Sequence, residues 1–107
     1  MKMNVYSVFD SKLASFGRPW FEMKDASAIR VFSDAVNDGS NPNNQWFKHP
    51  EDFSLFFIGE FNDENGALSS SRPPVSLVTA AAIFNHLNSA NFDLGDKNNG
   101  FKKELVQ

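Results

Sequence analysis

The stretch WFKHPEDFSLFFIGEFNDENG, residues Trp46–Gly66, decides how the rest of the chain is read. Its second half alternates as an extended segment does. Leu55, Phe57 and Phe61 fall on one side with Gly59 between them, and Phe56, Ile58 and Glu60 fall on the other. Apolar groups on both sides predict an interior strand over Phe53–Asn62, covered on both faces. Gly59 and the turn that follows favour a strand over a buried helix. Asn65-Gly66 readily adopts the positive φ angles of a tight hairpin turn, and Ala67-Leu68 begins the returning strand. Upstream, His49-Pro50-Glu51-Asp52 reads as a turn or a single helical turn, with Pro50 at its first position and two carboxylates at its positive end. Metal or acid–base chemistry there needs a second histidine or a third carboxylate at ligand spacing. The only other histidine, His86, is distant in sequence, so the structural reading is preferred.

A length of 107 residues supports one domain with a modest core. Twelve Phe, two Trp and one Tyr mean that aromatic rings carry much of the burial, and that some stay exposed. With no cysteine, disulfides, zinc–thiolate sites and thiol nucleophiles are excluded. No basic-then-apolar leader and no membrane-length apolar run are visible, so a soluble, non-secreted protein is expected. The net charge of −3 argues against indiscriminate high-affinity binding to nucleic acid, which usually leaves a basic footprint.

Taken in order, Met3–Asp10 alternates as a first strand, Ser11–Gly17 is a connector, and Trp20–Met23 is a short strand entered through Pro19. Asp25 is the expected N-cap of a helix to about Asn37, with Ala28, Ile29, Phe32, Ala35 and Val36 as its apolar stripe. Arg30 and Asp34 are one turn apart and expected to pair, and Gly39 is expected at C′. Asn41–Gln45 is a polar loop. After the hairpin, Ser69–Pro74 reads as a linker, and Ser76 as the cap of a second helix to about Leu87, with Leu77, Ala80, Ala81, Phe84 and Leu87 on one face. The order β-β-α, loop, β-β-α predicts an α+β domain over residues 1–88. It contains a small antiparallel or mixed sheet of about four strands backed by one or two helices. Residues 89–107 read as a polar, flexible tail. Phe32, Phe57 and Phe61 are expected to be largely buried.

Enzyme motifs are missing: there is no phosphate-cradling glycine loop, no G-x-S-x-G elbow and no paired histidines at metal spacing. No catalytic activity, cofactor or metal is therefore expected. Two clusters set aromatic rings beside cations, Arg18-Pro19-Trp20-Phe21 and Trp46-Phe47-Lys48-His49. Stacking surfaces flanked by positive charge are what a single strand of nucleic acid requires. The bland alternative, favoured on composition alone, is that the rings fill the core while the cations are solvated.

The wording of the chain adds a resemblance. DSK after the first strand, PWF in the second, AIRVFSDAVND on the first helix and KHPEDFSLFFIGEFNDENGAL resemble, as a set, one family. It is the small nonstructural, so-called DNA-binding protein of gokushovirus-type microviruses, phages with single-stranded DNA genomes. The match covers about Met3 to Leu68 in unbroken order and fades beyond Pro74. It implies a phage-encoded accessory protein in the host bacterial cytoplasm, tied to genome replication or packaging and binding single-stranded DNA. Within it Arg30, Lys48 and His49 are the candidates to touch phosphate, and Trp20, Trp46 and Phe47 to stack on bases; Arg18, the cation of the Trp20 cluster, is added as a DNA-binding candidate. The alternative is an interaction module that binds a phage replication or procapsid protein, or itself, through exposed aromatics. A homodimer is expected on similar grounds, since fifteen aromatics are hard to hide in one small core.

Overall fold

Five antiparallel strands and the helices on one side of them form the fold in the computed structural model, which describes residues 1–84. Strand β1 (Lys2–Asp10) turns back into the two-residue β2 (Ser15–Phe16), and β3 (Trp20–Glu22) follows. Helix α1 (Asp25–Val36), the one-turn helix α2 (Gln45–Lys48) and a 3₁₀ turn (Pro50–Asp52) lead into β4 (Phe53–Asn62) and β5 (Leu68–Thr79). Both β2 and β3 pair with one edge of β1; the sheet then runs β1-β4-β5. The expected α+β class is therefore correct, with one strand more than expected and no parallel pair among the described residues. The stretch taken for a pure connector, Ser11–Gly17, contributes β2. Its turn is held by the Asp10 carboxylate, which accepts from the backbone N–H of Lys12 (2.9 Å) and Leu13 (3.2 Å).

The interior position of β4 matches expectation, but its two faces do not. Val5 pairs with Gly59 and Tyr6 with Phe57, so Ile58 is an extra residue on β4, a bulge. Beyond it the alternation flips. Phe53, Leu55 and Phe57 share the face of Tyr6 and Val8, whereas Phe56, Gly59 and Phe61 share the face of Val5, Ser7 and Phe9. Phe61 thus leaves the side it was expected to share with Phe57, and both rings are half-buried rather than largely buried.

Helix α1 lies on the Tyr6 face. Ala28, Phe32 and Val36, spaced one turn apart, have no exposed area and meet Tyr6, Val8, Phe53, Leu55 and Ala80 in one cluster. Asp25 is the first helical residue rather than the N-cap; Lys24 occupies the cap without a side-chain hydrogen bond. The Asp25 carboxylate instead accepts from the Tyr6 hydroxyl at 2.6 Å, so the acidic end of the helix is tied to the centre of the sheet. Burial first, and this bond second, push the Tyr6 hydroxyl up to about 12. Arg30 and Asp34 form no ion pair. Gly39 is not in the left-handed conformation expected at C′; Asn37 caps the helix and Gly39 lies under the Phe47 ring, where a Cβ would come within 2.7 Å of Cζ. The loop expected over Asn41–Gln45 ends one residue early, because the Asn44 side chain caps α2.

The linker and the start of the second helix are the largest corrections. Ser69–Pro74 and Ser76 belong to β5, an edge strand, and among the described residues helix begins after it only at residue 80. Thr79, not Ser76, caps it, its hydroxyl accepting from Ala82 N–H at 3.2 Å. An edge tolerates serines and prolines that an interior strand would not, since its outer N–H groups need no partner. Leu87 and the tail over 89–107 lie outside the described residues. The turn falls where expected but is wider than a tight Asn-Gly turn: the Asn62 N–H donates to the Ala67 carbonyl at 2.9 Å, and of the Asn65-Gly66 pair only Gly66 has a positive φ, +74°. No atom lies within 4 Å of a Cβ built there, so Gly66→Ala should cost only backbone strain, about 1 kcal/mol, read as a fall in the urea midpoint at unchanged slope.

Candidate nucleic-acid interface

With α1, α2 and the 3₁₀ turn on one side, the other face of the sheet carries no helix among the described residues. Register places Met3, Val5, Ser7 and Phe9 of β1 on it, with Phe16, Phe21, Phe56 and Phe61 from β2, β3 and β4. Five phenylalanines gather there in two groups. Phe9, Phe16 and Phe56 form a triangle, with centroids 4.9 Å apart for Phe9–Phe16, 5.3 Å for Phe16–Phe56 and 6.1 Å for Phe9–Phe56. Phe21 and Phe61 form a pair at 5.6 Å. Phe16 and Phe21 remain 43% and 48% exposed, and Leu68, opposite Phe61, is 69% exposed. Tilted and edge-on contacts of this kind hold rings in place while leaving part of each face accessible.

Charge is distributed unevenly between the two faces. Asp10, Glu22 and Glu60, the carboxylates carried by the strands, all alternate onto the helix side. The regular positions of the open face carry none, so the overall acidity does not describe it. Exposed cations stand at its margins: Arg18 between β2 and β3, and Arg72 on β5. Neither enters an ion pair among the described residues, and Lys12 lies on the other side, in a cleft with Gln45, His49, Glu51 and Asp52. The Arg72 guanidinium is anchored, donating from Nε to the Ser70 hydroxyl at 3.3 Å, and Ser70 pairs with Gly59 at the middle of the face.

Of the two clusters singled out in the sequence, only Arg18 and Phe21 belong to this face, Arg18 at its margin and Phe21 in its ring pair. Trp20 packs on the opposite side against Tyr6, at 6.2 Å, with its indole N–H buried and without a partner. Trp46 sits between Phe32, at 5.2 Å, and Phe53, at 6.3 Å, and Phe47 packs against Phe84 and Gly39. Those three rings are committed to the helix-side packing. Arg30, Lys48 and His49 are exposed on the helical layer. His49 Nδ1 lies 3.8 Å from a Glu51 carboxylate oxygen, and His49, Glu51 and Asp52 bring their polar atoms within 4.8 Å of one another. The tight 3₁₀ turn over Pro50–Asp52 accounts for that proximity. Phe9, Phe16, Phe56, Phe61 and Arg72 are the open-face residues that sequence reading passed over. The glycine inside the β4 pattern was the available signal, because a glycine within a strand marks a bulge.

Comparison with known proteins gives a consistent picture. The family model described as "Phage ORF5 protein" matches residues 3–83. "Protein ORF5" of Chlamydia phage 1 is 37% identical over 68 residues, which is 62% of this chain and 70% of that protein. No solved structure matches.

Proposed function

Because the chain belongs to the phage ORF5 protein family, we propose that it is a nonstructural accessory protein that binds single-stranded DNA on the open face of its sheet inside the host bacterium. The observation that carries this reading is an aromatic face free of carboxylates at its regular positions, with exposed cations at its margins. Unpaired bases have π-faces that stack on such rings whatever their sequence, each worth about 1–3 kcal/mol. A duplex hides those faces and offers this surface only its phosphates. The role is binding without catalysis, and no helix of the described residues is long and apolar enough to cross a membrane.

Fluorescence anisotropy with a labelled oligonucleotide, free or annealed to its complement, tests the reading. Micromolar binding of the single strand at physiological salt is expected, with duplex weaker at every salt concentration. Absence of a single-strand preference even at low salt would overturn it. The same face would then be assigned to a protein, either a second copy or a phage replication or procapsid protein. Light scattering that shows a dimer would identify the first.

A further inference from the structure

We infer that the open face takes one single strand across two separate stacking platforms, with a base on each and the intervening backbone held between Arg18 and Arg72. This rests on the single-strand reading above and specifies how the strand is held.

The two ring groups are separated by a ring-free waist. Along β1 the first platform is marked by Phe9 and the second by Val5, which pairs with Phe21. Four strand steps lie between them, or about 13 Å at about 3.3 Å per residue. The waist is built of Val5 and Ser7, both buried, and Gly59. The chain closes on it from both margins. On one side the Gly17 carbonyl accepts from the Ser7 hydroxyl at 2.8 Å, and Arg18 follows directly. On the other, the Ser69 carbonyl occupies the space where a Gly59 side chain would stand, and Arg72 is anchored to the next residue, Ser70. Each flank of the waist therefore carries an exposed arginine, while its floor offers no aromatic surface for a base.

This layout matches the chemistry of a nucleotide chain: π-surfaces take bases and the cations between them take the connecting phosphates. At the stacked spacing of about 3.4 Å per nucleotide, about 13 Å spans some four nucleotides, and fewer when the strand is extended. A dinucleotide reaches only one platform. A strand long enough for both gains the second contact intramolecularly, so affinity should rise in a step and not smoothly with length.

The test is anisotropy with labelled oligothymidylates from dinucleotide to octanucleotide, for the wild type, Phe16→Ser, Phe21→Ser, Arg18→Gln and Arg72→Gln. Circular dichroism and urea midpoints confirm that each variant is folded. Wild-type affinity should rise about tenfold or more between dinucleotide and hexanucleotide and then level off. Either serine variant should abolish the step while retaining wild-type-like binding of the dinucleotide at the remaining platform. Each glutamine variant should flatten the slope of log affinity against log salt by about 0.7, the value for one lost phosphate contact on a single strand. A hexanucleotide that binds no better than the dinucleotide would overturn the two-platform arrangement and leave the single-strand reading standing. No binding at any length would overturn both.

Discussion

Phe32→Ala is expected to destabilise the protein by about 3–5 kcal/mol, a large part of the roughly 5–15 kcal/mol that holds a small domain together. Phe32 has no exposed area and stands where three elements meet: its own helix, α2 through the edge-on Trp46 ring, and the Tyr6–Leu55 centre of the sheet. Truncation removes the transfer free energy of a phenyl ring and leaves a cavity that cannot collapse, because its walls are a helix and a sheet joined by the Tyr6–Asp25 hydrogen bond. Urea denaturation should show a much lower midpoint, or no folded baseline at all. A loss below about 1 kcal/mol would mean that α1 does not pack as described. Trp46→Ala should act in the same direction, through stability.

Gly59→Ala is expected to cost more than Gly66→Ala, although Gly66 is the glycine with positive φ. A methyl on Gly59 meets backbone: the Ser69 carbonyl oxygen first, then Ser70 Cα at 3.2 Å and Ser69 C at 3.3 Å. None of these is the flexible end of a side chain, so relief requires β5 to move away from β4. Overpacking of this kind costs about 1–3 kcal/mol, occasionally more. At Gly66 nothing lies within 4 Å, and only the dihedral is penalised. Paired unfolding curves check the order. Equal midpoints for the two variants would show that β5 does not cross β4 at Gly59 as closely as described.

Local sequence signals found most of the elements but not the partition of the aromatics between two faces. Strand β1, strand β3, helix α1 and the Asn65-Gly66 turn each follow from periodicity or turn chemistry over a few residues, and each lies where such signals put it. The returning strand begins at Leu68 as expected, but its length was hidden because an edge strand needs little hydrophobicity: its serines and prolines imitate a linker, and the β-branched Val75, Val78 and Thr79 are its clearest mark. Strict alternation puts Phe61 on the side of Phe57, and the extra residue at Ile58 reverses it, a shift that periodicity alone does not carry. The aromatic–cation clusters around Trp20 and Trp46 drew attention by adjacency in sequence. The rings that remain open, Phe16 and Phe21, are brought beside Phe56 and Phe61 by strand pairing over long sequence separations. Adjacency along the chain carries no information about such pairing.

The central claim, that DNA is held by the open aromatic face, is tested most directly by one paired titration. Single-strand affinity at low salt is measured for the double variant Phe16→Ser/Phe21→Ser and for Arg30→Gln/Lys48→Gln on the helical layer, with folding verified for both. Two lost stacking contacts at about 1–3 kcal/mol each predict a fall of about a hundredfold or more for the first variant, while the second binds nearly as the wild type does. Retained affinity in the serine variant together with its loss in the glutamine variant would contradict the account and place the DNA on the opposite side of the molecule.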